Sequence, residues 1–343
     1  MIRLKIFIKK CICQVLFYTG LVHLYLWLYK ARHKSFPAVI VNYHSFVHDF
    51  DNVMDAHPTV THKIHEFEKE VRFLKKHFHL TSLDEITAKL KAGEGFSRPT
   101  VAITVDDGFQ DNYSLLFPVL KNHDATATIF LTTGVIGRKG QLWVNYIESM
   151  FLQTERTSIR LNGIFKGIPF DIKTKTQKRN VYREYVSRLK NIDTAERDEY
   201  IDIIEKRLGK PKFEKPLMLN WDEVREMHAA GIHFGAHTVN HPILTNVSLD
   251  EAKQEIAESK QVIEKELNAG IKHFAFPNGR PQDFNEDLRV HCKSLGFSSV
   301  SSCDYGANTQ GKDIWNLRRI GSEVPLSLFA VNLLRAFKFK VKE

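Results

Sequence analysis

The chain has 343 residues, 43% hydrophobic and 26% charged, an ordinary globular composition with no low-complexity tract. Its length allows one large domain or two small ones. The formal net charge is +9, from 49 Lys+Arg against 40 Asp+Glu. That surplus suits anionic membrane surfaces or acidic glycans, while the lack of an Arg-Gly run, zinc-finger spacing or RNP-like aromatic motif argues against nucleic acid.

Residues 11–29, CICQVLFYTGLVHLYLWLY, contain no acidic residue, lysine or arginine, and Lys9, Lys10, Lys30 and Arg32 flank them. Nineteen helical residues rise about 28 Å, roughly the hydrocarbon thickness of a bilayer. We therefore expect residues 1–35 to be a membrane-anchor segment. A single-pass span comes first and an interfacial helix second, the latter favoured by Gln14, His23 and the aromatics. A cleaved signal peptide is disfavoured by the long apolar run and the missing small-x-small site. The expected location is the inner or cytoplasmic membrane. The slight basic excess before the run favours a catalytic domain on the outer side. Cys11, Cys13, Cys292 and Cys303 show neither zinc-ribbon nor thioredoxin spacing and leave the compartment open.

From residue 36 onward, short apolar runs recur: AVIVNYH (38–44), TVAITVDDG (100–108), TATIFLTTG (126–134), IHFGAHTVNH (232–241), KHFAFPNG (272–279) and FSSVSS (297–302). Helical patterns separate them, among them 65–77 and 248–268, the second opening on Ser248 with Glu251 as a capping box. Alternating strands and helices predict a parallel sheet, and this many units predict a barrel. Residues 141–216 break the rhythm with Lys-rich, mostly helical sequence, read as an insertion after the fourth barrel strand. The last stretch, VPLSLFAVNLLRAFKFKVKE, reads as a helix packed on the domain, with a lipid contact as the alternative.

Chemistry in such a barrel belongs at the C-terminal strand tips. There stand His44, Asp106-Asp107, His237 with His241, and Pro277-Asn278-Gly279. Adjacent aspartates at a strand end point in different directions, so one can bind a cation while the other stays free as a base. Asp107, His237 and His241 form an acid-plus-two-imidazole ligand set that leaves coordination positions open. One divalent metal ion, with Zn²⁺ the natural candidate, would acidify a water and polarise a carbonyl. Asp106 would be the general base. Taken singly, Asp-Asp-Gly is a common turn and one His pair among 16 histidines is unremarkable. The combination at strand tips carries the weight.

These residues resemble the polysaccharide deacetylase family, also called the NodB-homology family or carbohydrate esterase family four. TVDDG resembles its first motif, and His237-Thr238-Val239-Asn240-His241 its His-[Ser/Thr]-x-x-His motif; the likeness runs from about Ala38 to Ile320. The resemblance implies a distorted (β/α) barrel of about seven strands spanning 36–343. It implies that Pro277, Asn278 and Gly279 supply the oxyanion site. The third family motif, Arg-x-Pro-Tyr-Gly, departs here to Ala275-Phe276-Pro277-Asn278-Gly279. The arginine that steadies the base is thus absent, with Arg280 in the next loop as its candidate stand-in. The C-terminal Leu-x-His is absent too. VNYHSF at the front resembles a circularly permuted subgroup, which implies that His44 is the general acid, a packing histidine being the alternative. WNLRRI (315–320) resembles that subgroup's closing strand.

The implied activity is removal of an N-acetyl or similar acyl group from an amino sugar of a polysaccharide or lipid-linked glycan, at a membrane surface. The rival readings are a degenerate module that grips glycan without turnover, a lipid-linked sugar deformylase, and a peptidoglycan or chitin deacetylase. Oligomeric state is not predicted.

Overall fold

The computed structural model of the chain describes residues 2–50, 60–137, 141–213, 215–311 and 313–338. Two helices, α1 (Ile2–Tyr18) and α2 (Leu21–Arg32), precede strand β1 (Ala38–Tyr43), a short β2 (Ser45–Val47) and β3 (Thr61–Lys63). Then come α3 (Ile64–His77), β4 (His79–Thr81), α4 (Leu83–Lys91), β5 (Thr100–Val105), α5 (Phe117–Asn122) and β6 (Thr128–Leu131). The insertion holds α6 (Trp143–Gln153), β7 (Ser158–Leu161), β8 (Ile168–Asp171), α7 (Lys175–Leu189) and α8 (Thr194–Leu208). The chain returns through α9 (Trp221–Ala229), β9 (His233–Ala236), α10 (Leu249–Leu267), β10 (His273–Ala275), α11 (Glu286–Ser294), β11 (Ser299–Ser301), β12 (Ile320–Gly321) and α12 (Leu326–Lys338).

Every residue of β1 and β5 is buried, as expected of strands covered on both faces. They pair in parallel from Ala38 opposite Thr100 to Tyr43 opposite Val105. The path β11-β10-β9-β6-β5-β1-β12 forms a distorted barrel of seven parallel strands. β4 shares the β5 edge with β6, pairing with its first half. Residues 317–321 close the curl: Leu317 bridges Ser301 of β11, and Ile320 pairs with Val41 of β1. Alternation of strand and helix therefore predicts the architecture correctly.

The helices pack by apolar stripe. In α3, Ile64, Phe67, Val71 and Leu74 recur at three- and four-residue spacing and are all buried. In α10, the Ser248 hydroxyl accepts from the Glu251 N–H at 3.2 Å, the N-cap half of the expected box. Below the site, Glu70 of α3 is fully buried. It accepts from the Tyr43 hydroxyl at 2.7 Å and the Ser322 hydroxyl at 3.1 Å, and lies 3.3 Å from His62 Nε2. A buried carboxylate needs such partners, and this one ties α3 to β1 and to the residue after β12.

Among the described residues, no single helix is long and apolar enough to cross a membrane. α1 and α2 together pass on length and composition, but the pair bends by 68° at Thr19-Gly20. Val22 and Leu26 of α2 join the main core, and Lys9 of α1 lies 3.4 Å from Glu323. α12 buries Phe329, Leu333, Leu334 and Phe337, so the C-terminal stretch packs as a terminal helix. Phe7, Val15, Tyr18, Leu24 and Trp27 remain exposed on the N-terminal pair.

β6 is the fourth strand of the main sheet in chain order. The segment that follows it folds around its own core of Met150, Phe151, Phe165, Tyr185 and Leu189, and its β7–β8 hairpin is antiparallel.

Candidate active site

The loop after β5 turns abruptly at Asp107 and Gly108, both with φ near +80°. A Cβ on Gly108 would meet Leu131 Cδ2 at 2.7 Å, so glycine alone fits that turn. Thr238, His241 and Asn278 also hold positive φ. Non-glycine residues rarely adopt this region, and such strain gathers at functional sites.

The turn separates the two acids. Asp107 Oδ1 lies 3.5 Å from His237 Nε2 and 3.4 Å from His241 Nε2, and the three ligand atoms all fall within 4.8 Å of one another. Asp107 Oδ1 is buried with no hydrogen-bond donor. An orphaned carboxylate oxygen facing two imidazole nitrogens fits a divalent cation and little else. The Ala275 carbonyl accepts from His237 Nδ1–H at 2.7 Å, which leaves Nε2 as the free lone pair. Burial, partly offset by His44 and His237, raises the Asp107 carboxyl above its ordinary range. Burial, with His237 and Lys190 nearby, pushes the His241 imidazole well below its own.

The loop carrying the histidines is pinned from behind. Glu255 of α10 accepts the Val239 and Asn240 N–H groups at 2.8 Å each and the Asn240 side-chain amide at 2.7 Å. The Thr238 hydroxyl accepts the His241 N–H at 3.0 Å.

Asp106 has a different environment. Its Oδ1 accepts from Arg319 Nη1 at 2.7 Å and its Oδ2 from Asn42 Nδ2 at 2.9 Å. Arg319 is itself fixed by the Ser302 carbonyl and by Asn42 Oδ1, each at 2.9 Å. Burial alone would raise the Asp106 carboxyl; Arg319, His237 and His44 overcome it and hold the group well below the usual carboxylate range. The charge missing at Ala275 is thus supplied by Arg319, not by Arg280, whose side chain lies exposed along the cleft. His44 Nε2 stands 3.7 Å from Asp106 Oδ2.

Asn278 lies between Pro277 and Gly279 with φ +55°. The Gly279 N–H donates to the Pro277 carbonyl at 2.6 Å, so Gly279 is committed. The Asn278 side-chain oxygen accepts from Lys190 Nζ at 3.0 Å, and Lys190 comes from the end of α7. Arg319, Asn42, Glu255 and Lys190 escape the sequence reading. Asn42 left a local signal in the strand run that leads to His44, and Arg319 stands in WNLRRI.

A cleft of about 670 Å³ opens over these groups, lined by Asp107, Asp111, Lys190, Asn278 and Arg280 among others. Asp111, on that lining, accepts from the Ser45 hydroxyl at 2.6 Å and the Asn112 amide at 2.9 Å.

A sequence model of the family described as polysaccharide deacetylase matches residues 93–300. YxkH of Bacillus subtilis (strain 168), which carries a polysaccharide deacetylase name, is 21% identical over 256 residues, 74% of this chain. The chain spans 63% of that relative's length. Several solved structures share the fold. The Streptococcus pyogenes deacetylase PplD in complex with acetate superposes with TM-score 0.58 at 19% identity, over 88% of this chain and 99% of its own. IcaB from Ammonifex degensii gives 0.54 at 17%, over 87% and 97%. The chain has the fold of these two structures. With more than half its length matched, the chain belongs to the polysaccharide deacetylase family.

Proposed function

We propose that this chain is a metal-dependent N-deacetylase acting on an amino sugar of a polysaccharide or lipid-linked glycan at a membrane surface. The observation that carries the reading is the pair of unlike acids on one turn. Asp107 has a buried, donorless oxygen facing two imidazoles, while Asp106 is held ionised by Arg319.

Asp107, His237 and His241 are the residues to hold the ion, with Zn²⁺ the natural candidate for this donor set. A divalent cation there polarises an acyl carbonyl and acidifies a water. Asp106, ionised and locked by Arg319 and Asn42, accepts the proton of the attacking water. The Asn278 N–H, which has no hydrogen-bond partner among the described residues, is the backbone donor for the developing oxyanion, Pro277 and Gly279 fixing its turn. His44, across Asp106, delivers a proton to the departing amine.

A module that binds glycan without turnover drew its support from the altered third motif, and Arg319 restores the charge beside the base that the motif lacks. The membrane assignment rests on the exposed apolar residues of α1 and α2, with the bend favouring a helix pair lying in the interface over a straight span. Residues 1–35 are the anchor, 36–343 the catalytic domain, and 141–216 an insertion that walls the cleft; the inner or cytoplasmic membrane is the preferred location.

The test assays acyl release from a panel of N-acetylated and N-formylated oligosaccharides with several added divalent metals, using Asp106→Asn as control. Release that depends on metal and on Asp106 supports the reading. A chain that binds metal yet releases nothing across the panel overturns it.

A further inference from the structure

The insertion is more than a solvated appendage, because its α7 helix forms one wall of the cleft. Tyr182, Arg183, Val186, Ser187 and Lys190 recur at three- and four-residue spacing and all line it. A helix face at that spacing is continuous. Lys190, at the C-cap of α7, reaches furthest in, its ammonium 3.0 Å from the Asn278 side-chain oxygen. The backbone there is clamped: the Asn246 side-chain amide donates to the Lys190 carbonyl at 2.8 Å and to the Ile192 carbonyl at 3.1 Å. Asn246 belongs to the short turn that follows His241, so the insertion is fastened to the loop that carries a candidate metal ligand.

Lys190 is unusually placed for a lysine. Its ammonium makes no ion pair with a carboxylate among the described residues, and Arg280 lines the same cleft. Burial and Arg280 push the ammonium below its ordinary range, against the nearby Asp283 and Asp107 carboxylates. Glu148, Asp111 and Asp283 also line the cleft, and Lys190 is the cation that reaches Asn278. A neutral amino sugar uses none of this charge.

We propose that this wall makes the cleft selective for an acidic N-acylated sugar, one bearing a phosphate or carboxylate, with Lys190 as the residue that contacts the acid and Arg280 assisting. The inference rests on the deacetylase reading for the sugar but not for the charge preference. A charge-assisted hydrogen bond in a partly desolvated cleft contributes enough to raise affinity about tenfold.

The experiment uses the full chain in detergent, loaded with zinc, and measures binding by calorimetry for three probes: N-acetylglucosamine, N-acetylglucosamine 1-phosphate and N-acetylmuramic acid. At least one acidic probe should bind about tenfold more tightly than the neutral sugar, and which one names the source of the acid. Lys190→Met should abolish that preference at unchanged metal content, Lys190→Arg should retain it, and Arg280→Gln, at an exposed position that tolerates change, should weaken it. Equal affinity for all three probes overturns the proposal. So does a preference that survives Lys190→Met and Arg280→Gln, which would assign the acid to the metal. If the preference behaves as expected while no probe or oligosaccharide loses its acyl group, the charge selectivity stands and the proposed reaction fails.

Discussion

Arg319 and Asp106 stand 213 residues apart in the chain and 2.7 Å apart in the fold, both almost fully buried. The pair has a signed consequence. Asp106 is held below its ordinary range by Arg319 against the opposing effect of burial, so removing the guanidinium lets burial win. In Arg319→Met the acid limb of the kcat/KM profile should move to higher pH by about one to three units. Stability should fall by about 3–5 kcal/mol, as expected when one partner of a buried pair is lost. Arg319→Lys keeps the charge but not the fork to Asn42 and Ser302, and should shift the limb less. An acid limb unmoved in both variants removes Arg319 from the catalytic argument.

Asp106 and His237 should fail in different ways. Asp106→Asn is expected to lower turnover by about 10²–10⁴-fold, the usual contribution of a general base, with metal content close to wild type. His237→Ala should lose metal and activity together. Metal analysis after dialysis, run beside the activity assay, distinguishes the two. Equal metal loss in both variants contradicts the division of labour between the two acids.

Glu255 touches no candidate ligand directly, but it holds the loop that carries both histidines. Glu255→Ala should weaken metal affinity by about 10–100-fold, the range for outer-shell partners. A competition titration with a chelating dye reads this. Unchanged affinity would mean that the loop keeps its shape without the clamp.

Asp111 gives a pH dependence of stability. Burial raises its carboxyl to about 7, against hydrogen bonds from Ser45, Phe46 and Asn112. A carboxyl whose folded pKa exceeds its unfolded one stabilises the fold fully at low pH. That contribution is lost as pH rises from the ordinary carboxylate range to about 7. Urea midpoints for wild type should therefore drop between pH 5 and pH 7.5 relative to Asp111→Asn. Parallel midpoints for the two proteins would show that Asp111 ionises normally.

Exposed aromatic and aliphatic residues on α1 and α2 predict binding to lipid. Trp27, 64% exposed, should contribute when the helix pair lies in an interface. Cosedimentation with vesicles of anionic and zwitterionic lipid should show capture by both, stronger with the anionic kind, and several-fold weaker capture of Trp27→Asp. Equal sedimentation of wild type and variant argues against an interfacial helix pair.

Much of the barrel was legible because each strand announces itself by a short apolar run and each tip by polar residues a few positions on. Asp107, His237 and His241 could be grouped from sequence since their motifs are local. Arg319 could not: WNLRRI resembles a closing strand, but nothing local tells which of Arg318 and Arg319 turns inward to meet Asp106. Ala275 shows the limit from the other side: its side chain lacks the charge expected there, while its carbonyl does the work of orienting His237. The insertion read as charged helices, and the face that Lys190 presents depended on the Asn246 clamp, which no periodicity reveals.

Residues 317–321 knit β11 to β1, and the ribosome makes them after every candidate metal ligand. The guanidinium facing Asp106 therefore rides on the segment that joins the two ends of the curl, so any loosening of this seam withdraws the counter-charge from the acid as well.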